Sequence, residues 1–300
     1  MSPATKTSAV NPVGLLYGLV AYGAWGIFPI YWKWLAEVGA LEVLCHRMIW
    51  SAVFLSLTLG LRQEFRSVFR VCQSPRLLLG LVGTALLLSC NWGIYIYAVN
   101  LDRVVEASLG YFITPLLNTL LGCVVLRERL TRLQGIAVGL AALGVANFIW
   151  GFGAVPWFAL ILASTFALYG LFRKLIPVSP LLGITIETWL LTPVALLWLY
   201  LQPIHAFGSG VTVTLLLGLA GVVTSLPLFC FNNAAKLLPL STVGFLQYIA
   251  PSLQLLLGVF LYGEPFTQTH LVSFGLIWVA LGLYTVYLLR YRERSIVPET

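Results

Sequence analysis

Charge is what this sequence has least of. Only 9% of its 300 residues are Asp, Glu, Lys or Arg, where soluble domains carry about a quarter, and 60% are hydrophobic. A chain so composed has too little polar surface to shield an apolar core from water, which excludes a soluble protein and places this one in a bilayer. Other absences exclude chemistries. The three histidines (His46, His205, His270) lie in separate regions, and the five cysteines show no CxxC or other ligand spacing, so no metal site is expected. There is no GxSxG, HExxH or Walker loop, hence no enzyme signature, no ATP-binding motif and no expected cofactor. The net charge of +7 comes from short basic clusters between apolar runs, never from a basic patch interleaved with aromatics, which excludes nucleic acid as a partner.

What is there is apolar and long. A helix needs about 20 mostly apolar residues to cross the hydrocarbon core. On that measure the chain holds ten spans, at 12–34, 41–61, 77–99, 104–126, 133–150, 155–172, 181–201, 211–235, 241–262 and 270–289. Connections are short, and no soluble domain fits between them. With the N-terminus inside, fourteen of the seventeen Lys and Arg fall on the cytoplasmic side, two (Lys33 and Arg103) outside, and Arg47 within a span. The positive-inside rule therefore puts both termini in the cytoplasm.

The chain also repeats. A shift of 136 residues carries Pro115 onto Pro251, Gly122 onto Gly258, Glu128 onto Glu264 and Thr131 onto Thr267, and places Asn118 on another amide, Gln254. Leucine matches between apolar segments carry little weight; Pro, Gly, Glu and Thr matches in one register carry more. VGALEVLCHRMIW aligns with VSPLLGITIETWL at a shift of 140. Five spans per half is an odd number, so the second half enters the membrane from the opposite side. The expected fold is all-α and integral to the membrane, ten transmembrane helices as two inverted five-helix repeats. The halves are residues 1–152 and 153–300.

These features resemble a known family. Ten spans in two five-helix halves, each closing its fourth helix with Glu and Thr before the fifth, resemble the EamA-type drug/metabolite transporter superfamily. LEVLCHRMIWS, NWGIYIYAVN and DRVVEASLGYFITPLLN resemble, more narrowly, its RarD branch of chloramphenicol-sensitive proteins. The resemblance covers nearly the whole chain and implies a ten-helix carrier of the inner membrane, without naming a substrate.

Several residues are candidates for a site. Ionisable groups inside spans are costly and point to function. His46, Arg47, Glu106 and Glu187 are such groups; their alternative role is ion pairs that only hold helices together. Arg47 and Glu187 correspond under the shift of 140 but lie at opposite depths, each roughly 9 Å in and so roughly 12 Å apart along the normal. Each then needs a partner on its own side: Glu106 for Arg47, Lys236 for Glu187, two charge pairs that would gate the two mouths or staple them. His46, Glu106 and Glu187 are also the candidates for proton coupling. Amides and aromatics at mid-depth beside the two prolines (Asn91, Trp92, Tyr95 and Asn118 from the first half, Tyr248 and Gln254 from the second) are the candidate substrate-binding residues, each with an ordinary packing role as its alternative. Glu128 and Glu264 read as acids preceding a helix start, with Thr131 and Gln134 forming a capping box.

The function expected is ATP-independent transport of small organic metabolites or drugs across the cytoplasmic membrane, by alternating access, as export or exchange. The bilayer and a small-molecule substrate are the expected partners. A polar-solute channel, and a non-transporting membrane protein or intramembrane enzyme, are the alternatives.

Overall fold

The computed structural model describes residues 11–101, 104–263 and 266–296. Twelve helices follow one another: α1 (Pro12–Lys33), α2 (Ala40–Leu61), α3 (Phe65–Cys72), α4 (Pro75–Asn100), α5 (Val104–Val124), α6 (Arg132–Phe152), α7 (Trp157–Leu175), α8 (Pro180–Leu201), α9 (Val211–Leu237), α10 (Leu240–Gln247), α11 (Ile249–Tyr262) and α12 (Gln268–Ile296). Among the described residues, nine spans are long and apolar enough to cross a membrane, with α10 and α11 together counting as one; Ser108–Val124 of α5 supplies a shorter apolar tenth. Large side chains such as Trp150, Tyr200 and Phe260 are more than 80% exposed on the outside of the bundle, a surface suited to lipid rather than water.

The helix starts follow from local chemistry. Asn11 caps α1, its Oδ1 accepting from the amides of Val13 at 2.9 Å and Gly14 at 3.3 Å, with Pro12 at the first helical position. The expected capping box opens α6: the Thr131 amide donates to Gln134 Oε1 at 2.8 Å and the Gln134 amide to Thr131 Oγ1 at 3.4 Å. The second copy uses an imidazole for the same task. There the Thr267 amide donates to His270 Nδ1 at 3.2 Å, and the His270 amide donates to Thr267 Oγ1 at 3.3 Å.

Two elements depart from the sequence expectation. The basic segment after α2 is itself a helix, α3, whose Val68 and Val71 are buried while its arginines point away. The ninth span is broken at Tyr248 into α10 and α11. Pro251 has no N–H to give the carbonyl of Gln247, so the helical hydrogen-bond ladder lapses where the break falls.

The main packings join the first five spans to the last five. α1 lies on α9 and α11, α2 on α8 and α9, α4 on α7 and α8, α5 on α7 and α10, and α6 on α12. Exchanging α1 with α7, α2 with α8, α4 with α9, α5 with α10–α11 and α6 with α12 returns the same set of pairs, as a two-fold relation between inverted repeats requires. One close crossing is α2 on α9. Ser51 Oγ donates to the Gly221 carbonyl at 3.1 Å, and a Cβ on Gly221 would overlap the backbone of Trp50. Gly221→Ala is therefore expected to destabilise the protein by about 1–3 kcal/mol, read as a lowered unfolding temperature in detergent. Gly218→Ala is the control: its Cβ meets nothing within 4 Å, and it should leave stability unchanged or slightly raised.

Candidate functional site: a central cavity with one closed end

Between the halves lies a cavity of about 710 Å³. It runs from Gln247 in mid-bundle to Leu35, Ala36 and Val38 in the α1–α2 turn and to Tyr262 at the end of α11. The face carrying that turn is called the open face here, and the face carrying the α9–α10 turn the closed face.

Aromatic and aliphatic side chains make up most of the walls, with several polar groups among them. Arg47, on α2, enters the cavity and is held from three helices: Nε donates to Thr224 Oγ1 on α9 at 3.0 Å, and the guanidinium carbon stands 4.8 Å from the ring of Trp32 on α1 and 5.2 Å from that of Trp92 on α4. Asn91 lines the wall, but its amide donors go to α7, to the Leu162 carbonyl at 2.8 Å and Thr165 Oγ1 at 2.9 Å. Gln254 lines the opposite wall. Its Nε2 donates at 3.0 Å to the Trp25 carbonyl, the group that Pro29, four residues on, leaves without a helical partner.

Beyond Gln247 the side chains are buried. Asn118 Nδ2 donates to Gln247 Oε1 at 3.0 Å, and Tyr248 donates its hydroxyl to the Phe112 carbonyl at 3.3 Å. Next comes a fully buried polar network. Glu187 on α8 receives Thr84 Oγ1 at 2.6 Å and the Tyr169 hydroxyl at 3.1 Å; Asn232 donates to that hydroxyl at 2.9 Å; and Arg173 Nη1 lies 3.6 Å from Glu187 Oε1. Gly183 makes room for it, since a Cβ there would overlap the Arg173 guanidinium.

At the closed face, charged side chains cap helix ends. Lys174, at the end of α7, donates to the carbonyls of Ala235 (2.8 Å) and Leu238 at the end of α9. Lys236, at the end of α9, returns the favour to the Ile176 carbonyl at 2.8 Å. Glu128 does the converse at a helix start, accepting from the amides of Leu240 at 2.6 Å and Ser241 at 3.0 Å and from Ser241 Oγ at 2.7 Å. Cations at C-termini and an anion at an N-terminus match the helix dipoles.

Of the candidate binding residues, Asn91, Trp92, Tyr95 and Gln254 line the cavity. Asn118 and Tyr248 do not: they are 0% and 1% exposed and pack in its floor. Arg47 is in the cavity, while the side chain of Glu106, its expected partner, lies outside the described residues, as do Asp102, Arg103 and Glu264. The expected pair of Glu187 with Lys236 is corrected to Glu187 with Arg173. The helix of α7 extends to Leu175 and carries Arg173 back into the bundle, where sequence had it in a cytoplasmic turn; Lys236 is taken by a helix end instead. His46 is away from the cavity, 3.9 Å from Glu42 and stacked on Phe207 at 4.9 Å. Glu42 in turn accepts from the Ala206 and Phe207 amides at 2.7 and 3.3 Å. Trp32 and Thr224, which fix Arg47, went unmarked, because neither stands out from neighbouring apolar sequence. Glu128 did carry a signal, its repetition at Glu264, although the helix start it caps belongs to the other half.

A ten-helix membrane bundle, its halves interleaved around a cavity open at one end, has the architecture of a membrane transporter. Residues 12–150 match the EamA-like transporter family. The chain is 44% identical over 287 residues to an uncharacterised transporter of Pseudomonas aeruginosa, covering 91% of this chain and 93% of that one. It is 42% identical over 286 residues to the protein RarD of Escherichia coli, covering 94% and 97%. A crystal structure at 19% identity superposes with a TM-score of 0.71 over 92% of this chain and 98% of that one, a likeness of fold. The chain belongs to the EamA family of membrane transporters, in its RarD branch.

The buried pair offers a test. Arg173→Met leaves the buried Glu187 without its ion partner and should cost about 3–5 kcal/mol. Adding Glu187→Gln should recover more than half of that loss, since both charges are then gone. Thermal unfolding of the two single variants and the double variant measures the coupling.

Proposed function

We propose that the protein is an ATP-independent carrier that moves small organic molecules across the cytoplasmic membrane by alternating access, by export or exchange. The observation that carries this reading is the cavity itself, open at one face and closed at the other. A channel needs a continuous path; here the floor is a packed layer of Asn118, Gln247 and Tyr248 above a buried polar network. The sequence has no nucleotide-binding motif, so a gradient would drive any uphill step. Glu187 is the candidate for proton coupling, because it is a buried acid beyond the cavity floor that ties α8 to α4 and α7.

In this reading the halves, residues 1–152 and 153–300, rock about their shared two-fold axis. The closed end opens when Lys174, Lys236 and Glu128 release the helix ends they cap. Those groups are hydrogen-bonded to backbone, so water entering that mouth satisfies the same groups once they part. With the termini in the cytoplasm, as the basic residues indicate, the open face is the outer one and the capped end is cytoplasmic.

Two measurements test this. In a background with the native cysteines replaced by serine, a reagent confined to the outside should label Ser209→Cys and spare Gln73→Cys, both exposed positions in turns; the reverse pattern overturns the orientation. A comparison of metabolites released with and without the protein supplies a substrate, whose flux in proteoliposomes should saturate. Linear, non-saturating flux rejects the carrier.

A further inference from the structure

Arg47 is the only charged side chain among the described residues that line the cavity; none of them is Asp or Glu. Among the described residues its side chain makes one hydrogen bond, from Nε to Thr224 Oγ1. Guanidinium has five N–H donors, and no described residue takes a hydrogen bond from the two terminal nitrogens. The indoles of Trp32 and Trp92 lie 4.8 and 5.2 Å from the guanidinium carbon and confine the group from two sides. A planar fork held in this way matches a carboxylate. A cation set among aromatic rings is costly when unpaired, and an anionic ligand would offset that cost.

The rest of the cavity describes the body of such a ligand. Trp25, Phe28, Trp92, Tyr95, Tyr111 and Phe166 line it, surfaces that favour a flat apolar group. Its volume of about 710 Å³ is enough for one or two fused rings. At the open end Lys33 Nζ sits 3.4 Å above the ring of Tyr262, itself a lining residue, and gives the mouth a positive charge that draws anions in. The exposed Glu37 lies in the same turn but not on the lining.

We infer that the cavity selects planar organic carboxylates, with Arg47 as the specificity-determining residue: the carboxylate docks on its terminal nitrogens and the ring system stacks on the aromatic wall. The inference rests on reading the cavity as the transport site, and it makes a separate claim about charge.

Calorimetry on the protein in nanodiscs, with naphthoate, naphthamide and naphthylmethylammonium as probes, separates charge from shape. Naphthoate should bind about tenfold or more tightly than the amide, and the ammonium most weakly. Arg47→Gln should bring naphthoate and naphthamide to within about twofold, while Arg47→Lys retains part of the preference. Glu106→Gln should leave the preference intact or enlarge it. Equal or tighter binding of the amide or the ammonium to the native protein, or no naphthoate binding, overturns the inference whether or not any variant folds. A preference that survives Arg47→Gln, or vanishes in Glu106→Gln, overturns the role given to Arg47. Counterflow of labelled naphthoate in proteoliposomes distinguishes the two readings. Arg47-dependent binding without flux removes the transport reading and leaves the site; saturable flux of the ammonium alone does the opposite.

Discussion

Inside a bilayer no water is at hand to satisfy a backbone N–H or C=O, and that constraint governs where this chain places its few polar side chains. Helix interiors satisfy themselves. Prolines and helix ends do not, and there the charged and amide groups collect. Gln254 takes up the Trp25 carbonyl that Pro29 frees. Lys174 and Lys236 exchange ends, each closing the carbonyls of the other's helix, and Glu128 closes the amides at the start of α10. In each case the donor and the acceptor come from segments far apart in sequence, so satisfying the backbone also docks the bundle.

The same constraint explains why the two ends of the cavity differ. Its closed end is held by interactions between charged side chains and helix ends, and its interior by a buried ion pair. Its open end has Lys33 resting on Tyr262, an exposed contact of modest strength. An inverted repeat can exchange these two arrangements, since what closes one end in one half has a counterpart position in the other. Glu128 and Glu264 are the repeated pair by sequence, and the helix start that Glu128 caps lies in the opposite half.

Much of the fold was legible in the sequence because a bilayer imposes length. Span count, alternation and the register of the repeat came from apolar runs and from Pro, Gly, Glu and Thr positions. Four cavity residues, Asn91, Trp92, Tyr95 and Gln254, were found by asking which polar and aromatic groups share mid-depth, and Arg47 by asking which ionisable groups lie within spans. Depth says nothing about facing, however. Asn118 and Tyr248 lie at the right level but turn into the α5–α10 packing. Partners were harder still. Arg173 read as a turn residue because its helix end was placed a few residues early, and that shift decided whether Glu187 met an arginine or a lysine. The break at Tyr248 depends on Pro251, yet Pro115 sits within an unbroken α5. Nothing local to the two prolines separates those outcomes.

The central claim is that the cavity communicates with one face while the capped helix ends seal the other. Labelling of Tyr95→Cys, on the cavity wall, in a background free of native cysteine tests it most directly, with a membrane-impermeant thiol reagent applied to oriented vesicles from each side in turn. The account expects fast labelling from the face of the α1–α2 turn and slow labelling from the other, with Glu128→Ala raising the slow rate. Equal rates from both faces, faster labelling from the capped face, or a slow rate indifferent to Glu128→Ala would contradict it.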